Sequence, residues 1–497
     1  MSDDHVGRAR AVVPALVPNT IAGSAVPASS GATVEKRSPH DARLLWHVAA
    51  SGAADVDAAV AVAVTAQRSW ADLPGPARGA VLHEISNALD RRAADVAAVV
   101  AAETGKSPRD ALGEVGAAVA CGRFFAGEGQ RLYGRTTTSS VPGRQAMTVR
   151  APVGVAGLII AANTPIANVA WKVFPALICG NAAVLKAAED APATAWLFGE
   201  IAAEAGLPPG VLDVVQGVGR DAGAPLVRHP DVGVVSFTGS TAVGREIAVA
   251  AGERLAKVSL ELGGKNAFVV CADADLDAAA GWALLSAFSN AGQRCASGSR
   301  LLVDGAVYDD FRARLVARTE ALRLGPTDDD DLGPVINERA LRRLVDAVER
   351  ARADGVGVLC GGGRLHDDAH PGWYFEATIL EGASLDDPVS VEELFGPLTV
   401  LYRTEGLDDA IAAANASPFG LTACVHTRSW DAAWQFVNRV SAGVAVVNGG
   451  THGSEPHMPF GGVRASGNGS REPGTEALDV YSELKDLYFH LDPGSDP

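Results

Sequence analysis

A chain of 497 residues, 47% hydrophobic and 20% charged, is too long for one ordinary core and predicts two or three domains. Its net charge of −17 excludes a nucleic-acid or anionic-membrane partner, since either needs a basic surface. The six cysteines are widely scattered and include no Cys-x-x-Cys pair, a pattern that fits a reducing compartment and supplies neither a disulfide framework nor a zinc site.

Residues 1–35 mix Asp, Arg, Pro and Ser without a long apolar run and read as a loose terminal arm, not a signal peptide or transit helix. No stretch is long and apolar enough to span a bilayer, so a cytoplasmic protein is expected. From Asp55 to Glu103, Ala and Val recur in helical stripes, broken at Leu73-Pro74-Gly75-Pro76 and ended at Gly105. Arg131 to Arg150 is rich in Thr and Ser around Pro142-Gly143 and predicts a β-hairpin flap. From Pro152 onward short apolar runs alternate with helical patterns: Val155–Ala161, Ala182–Leu185, Val211–Val215 and Val232–Phe237. That alternation predicts an α/β fold, a parallel sheet with helices on both faces. A second βα series, Ala267–Cys271, Ser299–Val303, Val356–Cys360, Leu398–Tyr402 and Gly443–Val447, predicts another α/β domain. The segment Ala477–His490 reads as a helix start followed by an extended tail.

Three segments of the first series suit a dinucleotide. Val232–Phe237 runs into Thr238-Gly239-Ser240-Thr241-Ala242-Val243-Gly244, a glycine-rich turn opening a helix. A helix N-terminus offers free N–H groups and a positive dipole end to a pyrophosphate. Gly239 permits the tight turn, Ser240 offers a hydroxyl, and Gly244 allows close helix–strand contact; a plain strand-to-helix turn reads the same way. Gly217-Val218-Gly219 with Gly223 is a weaker version. At the end of another strand, Glu189 is placed to accept two ribose hydroxyls and Lys186 to hold the ribose or a phosphate, although a surface Lys and Glu need no ligand.

Two further segments carry chemistry. Leu260-Glu261-Leu262-Gly263-Gly264-Lys265-Asn266 sets one carboxylate among apolar neighbours, which pushes its pKa toward neutrality and suits a general base. Asn290-Ala291-Gly292-Gln293-Arg294-Cys295 places a cysteine on a small-residue turn after the apolar run Trp282–Phe288. A thiolate there is a strong nucleophile near neutral pH, whereas a cysteine taken alone reads as a small buried hydrophobe. The run Asp328–Asp331 lacks further ligands at EF-hand spacing and reads as a solvated loop, so no metal is expected.

Taken together, these segments resemble the NAD(P)-dependent aldehyde dehydrogenase superfamily, over about Ser29 to Leu487. The marks are Leu260–Asn266, Gly292-Gln293-Arg294-Cys295, Glu393-Leu394-Phe395-Gly396-Pro397, and Pro459-Phe460-Gly461-Gly462 leading to Ser466-Gly467. The resemblance implies a Rossmann-type dinucleotide-binding domain over 1–130 and 151–262, a catalytic α/β domain over 263–447, and a small β oligomerisation element from 131–150 and 478–497. Residues 448–477 would then return to line the substrate tunnel, and a homodimer or homotetramer is expected. By position, Cys295 matches the catalytic nucleophile, Glu261 the general base and Asn163 the oxyanion amide. Lys172 and Glu472 match a proton relay, Lys186, Glu189 and Ser240 cofactor contacts, Glu393 the nicotinamide-ribose carboxylate, and Phe395 its packing neighbour. The implied reaction is oxidation of a small-molecule aldehyde or semialdehyde by NAD, with NADP as the other candidate. A redox-inert cysteine esterase or thioesterase and a non-catalytic NAD-binding homologue are the other readings of the same scaffold.

Ala162 and Thr164 stand where the family often carries a Trp and an aromatic, and Ala187-Ala188-Glu189 replaces a frequent Pro-Ser-Glu. The first change argues against a preference for simple alkyl aldehydes. Asn448–Pro459 resembles loops of relatives acting on aromatic aldehydes, whereas Arg471–Tyr481 is similar to semialdehyde dehydrogenases, including those for α-ketoglutaric semialdehyde. His452 and His457 read either as tunnel residues or as caps on loop carbonyls.

Overall fold

Five apolar strands, Val155–Ile159, Ala182–Lys186, Leu212–Val215, Val232–Gly239 and Lys257–Leu262, form the parallel part of the first sheet in the computed structural model, which describes residues 3–490. Residues 491–497 of the expected oligomerisation element lie outside the described residues. Ala182–Lys186 and Leu212–Val215 are buried along their whole length, as expected where helices cover both faces. Val155–Ile159 pairs on one side with Ala182–Lys186 and on the other with Val232–Gly239. The chain therefore steps outward to Leu212–Val215, crosses back, and continues through Val232–Gly239 to Lys257–Leu262. Strand order reverses beside Val155–Ile159, which opens a crevice at the carboxyl ends of the strands. Asn163, Lys186 and Gly239 all follow or end those strands.

Two sequence expectations need correction. Residues 3–35 of the expected loose arm are structured: Asp3–Val12 is a helix, with Ala9 and Val13 buried, and Leu16–Val17 and Thr33–Arg37 join Leu44–Ala49 in a three-stranded sheet. Asn19–Ile21 and Ser24–Val26 add an antiparallel edge to the first sheet, which is therefore not purely parallel. Strands of two to five residues carry too few positions for an alternating pattern to register. The buried amide of Asn19 fastens this edge, its oxygen accepting from Gln216 N–H and the Ser51 hydroxyl at 2.8 Å each.

The second sheet runs Gly357–Cys360, Thr378–Glu381, Leu398–Thr404, Gly298–Asp304, Asn266–Val270, Thr422–His426, Val444–Val447. All of its pairings are parallel except that of Gly357–Cys360, an antiparallel edge where a member of the βα series is expected. Only Gly263, Gly264 and Lys265 separate the last strand of the first sheet from Asn266–Val270 of the second, so Glu261 sits at the junction of the two sheets. A further three-stranded sheet joins Thr136–Thr138, Arg144–Pro152 and Ser482–His490; the last two pair antiparallel from Ser482–Pro152 through His490–Arg144. No helix among the described residues is long and apolar enough to cross a membrane. All six cysteines are free thiols.

Candidate active site

Cys295 is presented by a tight reversal after the helix Leu276–Phe288. Asn290, Ala291 and Gly292 follow with φ of 55°, 52° and 66°, three successive left-handed residues of which glycine is free, asparagine tolerates the conformation and Ala291 is strained. Gly292 is also required for space, because a Cβ there would lie 2.0 Å from the Gly396 carbonyl oxygen. Asn266, at the start of its strand, then pins the loop: its amide donates to the carbonyls of Cys295 at 2.7 Å and Ser297 at 2.8 Å. The thiol is half-buried, not fully exposed as the turn suggests. Burial pushes it up to about 12, helped by the carboxylates of Glu393 and Glu261, while Arg294 pulls it down. The resting sulfur is therefore a thiol.

Asn163 is brought to the same cavity, of about 410 Å³, which Cys295, Thr164, Trp171, Arg294 and Phe460 also line. The Asn163 amide donates to the Gln293 carbonyl at 2.9 Å, leaving its second N–H for a ligand. Lys106, unnoticed in the sequence, donates to the Asn163 carbonyl at 2.9 Å and forms a buried ion pair with Glu114. Glu114 in turn accepts the Ile166 and Ala167 N–H groups at the start of the helix Pro165–Ile178. The rings of Trp171 and Phe460 lie 5.5 Å apart and form an apolar stretch of wall. His452 lines the cavity as well, held down to about 4 by burial and by Arg294, and so neutral. His457 is exposed, 3.5 Å from Glu455, and is not part of the cavity lining.

Glu261 is 5% exposed, and neither carboxyl oxygen has a hydrogen-bond partner among the described residues. Burial raises its pKa well above the ordinary carboxylate value, and the charge of Glu472 raises it further against the opposing pull of Lys172 and Arg471. An unpaired, desolvated carboxyl is what a base working near neutrality requires. Lys172 and Glu472 form a buried pair at 2.8 Å. Around the other Glu472 oxygen stand the hydroxyls of Ser236 at 2.7 Å, Ser259 at 2.9 Å and Tyr481 at 3.0 Å. These three hydroxyls escape sequence reading because their strands and helix meet only in the fold.

At the crevice, the residues fit a dinucleotide. Lys186 is 3% exposed, its side chain makes no hydrogen bond to a described residue, and burial lowers it to about 8, which leaves its ammonium available to an acceptor on a ligand. Glu189 is exposed; one oxygen accepts Gly219 N–H at 2.6 Å and the other is available for a hydroxyl. Ser240 caps the helix Thr241–Glu253, its oxygen accepting from Val243 N–H while its O–H stays free to donate beside Gly239. A Cβ on Gly244 would lie 2.5 Å from Leu262, which accounts for the close helix–strand contact. Glu393 is pushed up to about 7 by burial and accepts from Gly264 N–H at 3.1 Å; Phe395 follows with φ of 53°. Two of the four aspartates of 328–331 serve local donors, Asp330 taking the Thr327 N–H and hydroxyl and Asp331 the Arg323 N–H, while Asp328 accepts the distant Arg109 N–H.

A thiol, an amide donor and an unpaired buried carboxyl, set at the junction of two α/β sheets beside a dinucleotide-type crevice, make an arrangement suited to thiol chemistry on a carbonyl group. The aldehyde dehydrogenase family matches residues 26–487. The α-ketoglutaric semialdehyde dehydrogenase of Bacillus subtilis (strain 168) is 34% identical over 95% of this chain and 97% of its own length. An NAD-dependent aldehyde dehydrogenase from Sinorhizobium meliloti superposes with a TM-score of 0.94 at 33% identity, covering 98% of this chain and 97% of that one. An NADP-dependent enzyme from E. coli superposes with a TM-score of 0.92 at 35% identity, covering 95% and 98%. The chain belongs to the aldehyde dehydrogenase family.

Proposed function

We infer that this protein oxidises an aldehyde or semialdehyde to the carboxylic acid with NAD or NADP, using Cys295 as nucleophile and Glu261 as the deacylating base. The observation that carries this reading is the pairing of a thiol with a carboxyl that is buried, unpaired and within electrostatic reach of it. As the sulfur attacks the aldehyde carbon, the S–C bond forms and the thiol proton passes to water in the tunnel. The negative charge that develops on oxygen is met by the free Asn163 amide N–H and the Cys295 main-chain N–H. Lys186, Glu189, the first turn after Ser240, and Glu393 would hold a dinucleotide, which when bound supplies the electron-pair acceptor that converts the thiohemiacetal to a thioester. Glu261 then takes a proton from water; the hydroxide adds to the thioester carbon, the S–C bond breaks, and the acid leaves. The Lys172–Glu472 pair supports onward movement of that proton.

In this reading residues 1–130 and 151–262 carry the dinucleotide, 263–447 the nucleophile, and 448–477 part of the tunnel wall. The sheet formed by 131–150 and the tail from 478 leaves Tyr133, Leu484, Tyr488 and Phe489 exposed, and it is assigned as the contact between copies in a homo-oligomer. A cytoplasmic location fits the free thiols. Cys295→Ala tests the assignment: oxidation of every aldehyde should vanish while dinucleotide binding, followed by fluorescence quenching, persists. Turnover by that variant would overturn the role of Cys295. Aldehyde oxidation by the unaltered enzyme that needs neither NAD nor NADP would overturn the reaction class.

A further inference from the structure

Of the three hydroxyls around Glu472 Oε1, one leads outward. Glu472, Ser236 and Tyr481 are all 0% exposed, and among the described residues the Ser236 and Tyr481 hydroxyls bond only within this cluster and to Lys172. Ser259 differs. Its hydroxyl lies 2.9 Å from Glu472 Oε1 and 3.0 Å from the hydroxyl of Ser470, which is half-buried. Ser470 in turn donates to Asn468 Oδ1 at 2.7 Å, and Asn468 is exposed. The strand Lys257–Leu262 holds this loop in place. Asn468 Nδ2 donates to the Val258 carbonyl at 2.8 Å, and Leu260 N–H donates to Asn468 Oδ1 at 3.1 Å and to the Ser470 hydroxyl oxygen at 3.2 Å. The inner end of the row adjoins the base. Ser259 and Glu261 are two positions apart on one strand, so their side chains leave the same face. A Cβ on Gly461 would lie 2.6 Å from Glu261 Oε1 and 2.9 Å from the Ser470 carbonyl oxygen, so the base and the Ser470 segment close on the same point.

We propose that Ser259 and Ser470 form the outlet through which the proton taken up by Glu261 reaches solvent. The outlet rests on the reading of Glu261 as the deacylating base and of Glu472 as the group that receives its proton. A hydroxyl has one O–H and two lone pairs, and so accepts from one neighbour while donating to the next. Protonated Glu472 donates to the Ser259 oxygen as the Ser259 proton passes to the Ser470 oxygen and the Ser470 proton to a water at the surface. One proton leaves, each hydroxyl keeps one, and Glu472 returns to its carboxylate; rotation of the two hydroxyls resets the row. Neither serine lines the catalytic cavity, and both act through Glu472 by positioning its proton.

Ser470→Ala tests the outlet, since it removes one half-buried hydroxyl and keeps the Cβ. The single-turnover rate of dinucleotide reduction should be unchanged, because hydride transfer precedes the proton step, whereas steady-state kcat should fall by about tenfold or more. Imidazole added at constant pH should restore kcat by carrying the proton away, a response that damage to the fold would not give. Ser470→Thr keeps the hydroxyl and should turn over like the unaltered enzyme, and Ser259→Ala should reproduce the pattern of Ser470→Ala. An undiminished steady-state kcat in Ser470→Ala, or a loss that imidazole does not restore, overturns the outlet while leaving aldehyde oxidation standing. A normal steady state in Glu261→Gln would instead remove the reading of the base, and the outlet with it.

Discussion

Lys106 donates to the main-chain carbonyl of Asn163 at 2.9 Å, and through Glu114 it is tied to the helix that Asn163 precedes. The Asn163 side chain is meanwhile held to the Gln293 carbonyl at 2.9 Å. The amide assigned to the oxyanion is therefore located from both sides, by a buried ion pair behind it and by the Cys295 loop in front. One segment belongs to the first sheet and the other to the second, so the same contacts fix the distance between nucleophile and amide.

Lys106→Met should accordingly damage stability and catalysis together. Removing one member of a buried pair leaves Glu114 uncompensated and costs about 3–5 kcal/mol, visible as a lowered Tm. Loss of the Asn163 anchor should lower kcat by up to about 100-fold, with KM for the dinucleotide nearly unchanged. An unaltered kcat in a folded variant would show that the amide needs no support from Lys106.

The parts of this arrangement that could be read from sequence are those whose cause is local. Val155–Ile159 and Ala182–Lys186 are legible because strands covered on both faces must be continuously apolar. Cys295 and Glu261 are legible because glycines and small residues surround each within a few positions. Lys106, Glu114, Ser236, Ser259 and Tyr481 are not, because each meets its partner only through the packing of distant segments. Ser240 illustrates a different limit: helix caps and phosphate sites select the same residue types, and a hydroxyl that accepts for the cap keeps its O–H for a phosphate. The N-terminal strands were hidden by their shortness, and their hold on the fold comes from single side chains such as Asn19.

Glu261→Gln separates the two halves of the reaction. An amide of the same shape cannot take the proton from water, but it leaves Cys295 and Asn163 in place. Mixing enzyme with aldehyde and NAD should release reduced cofactor in a rapid burst of about one equivalent per active site and then stall as the thioester accumulates. A normal steady state, or the absence of any burst, would assign Glu261 to another step.

Reaction of the thiol itself should depend steeply on pH. Burial, with the charges of Glu393 and Glu261, pushes Cys295 up to about 12; below that value the thiolate fraction grows about tenfold for each pH unit. Alkylation of Cys295 by iodoacetamide in the free enzyme should therefore keep accelerating from neutral into alkaline solution without a plateau. Glu261→Gln removes one of the carboxylates that disfavour the thiolate and should speed alkylation in alkaline solution, where Glu261 is ionised. A plateau near neutrality would mean that the free enzyme already holds a thiolate.

Cofactor choice turns on Glu189. It follows the strand Ala182–Lys186, and its Oε1 is fixed by Gly219 N–H at 2.6 Å, so the carboxylate has little freedom to swing away from an adenosine ribose. Two ribose hydroxyls satisfy the remaining lone pairs, whereas a 2′-phosphate brings like charges together. At an effective dielectric near 20 that contact costs roughly 4 kcal/mol per charge pair at about 4 Å. Glu189 is exposed, and solvent screening reduces the penalty to a fraction of that figure. Lys186, whose charge lies within reach of Glu189, offsets a further part by offering its ammonium to the phosphate. The expected result is a lower KM for NAD than for NADP, by a factor that Glu189→Gln narrows without affecting kcat. Measuring both KM values on the two proteins decides the matter, and equal or better use of NADP by the unaltered enzyme would overturn this role for Glu189.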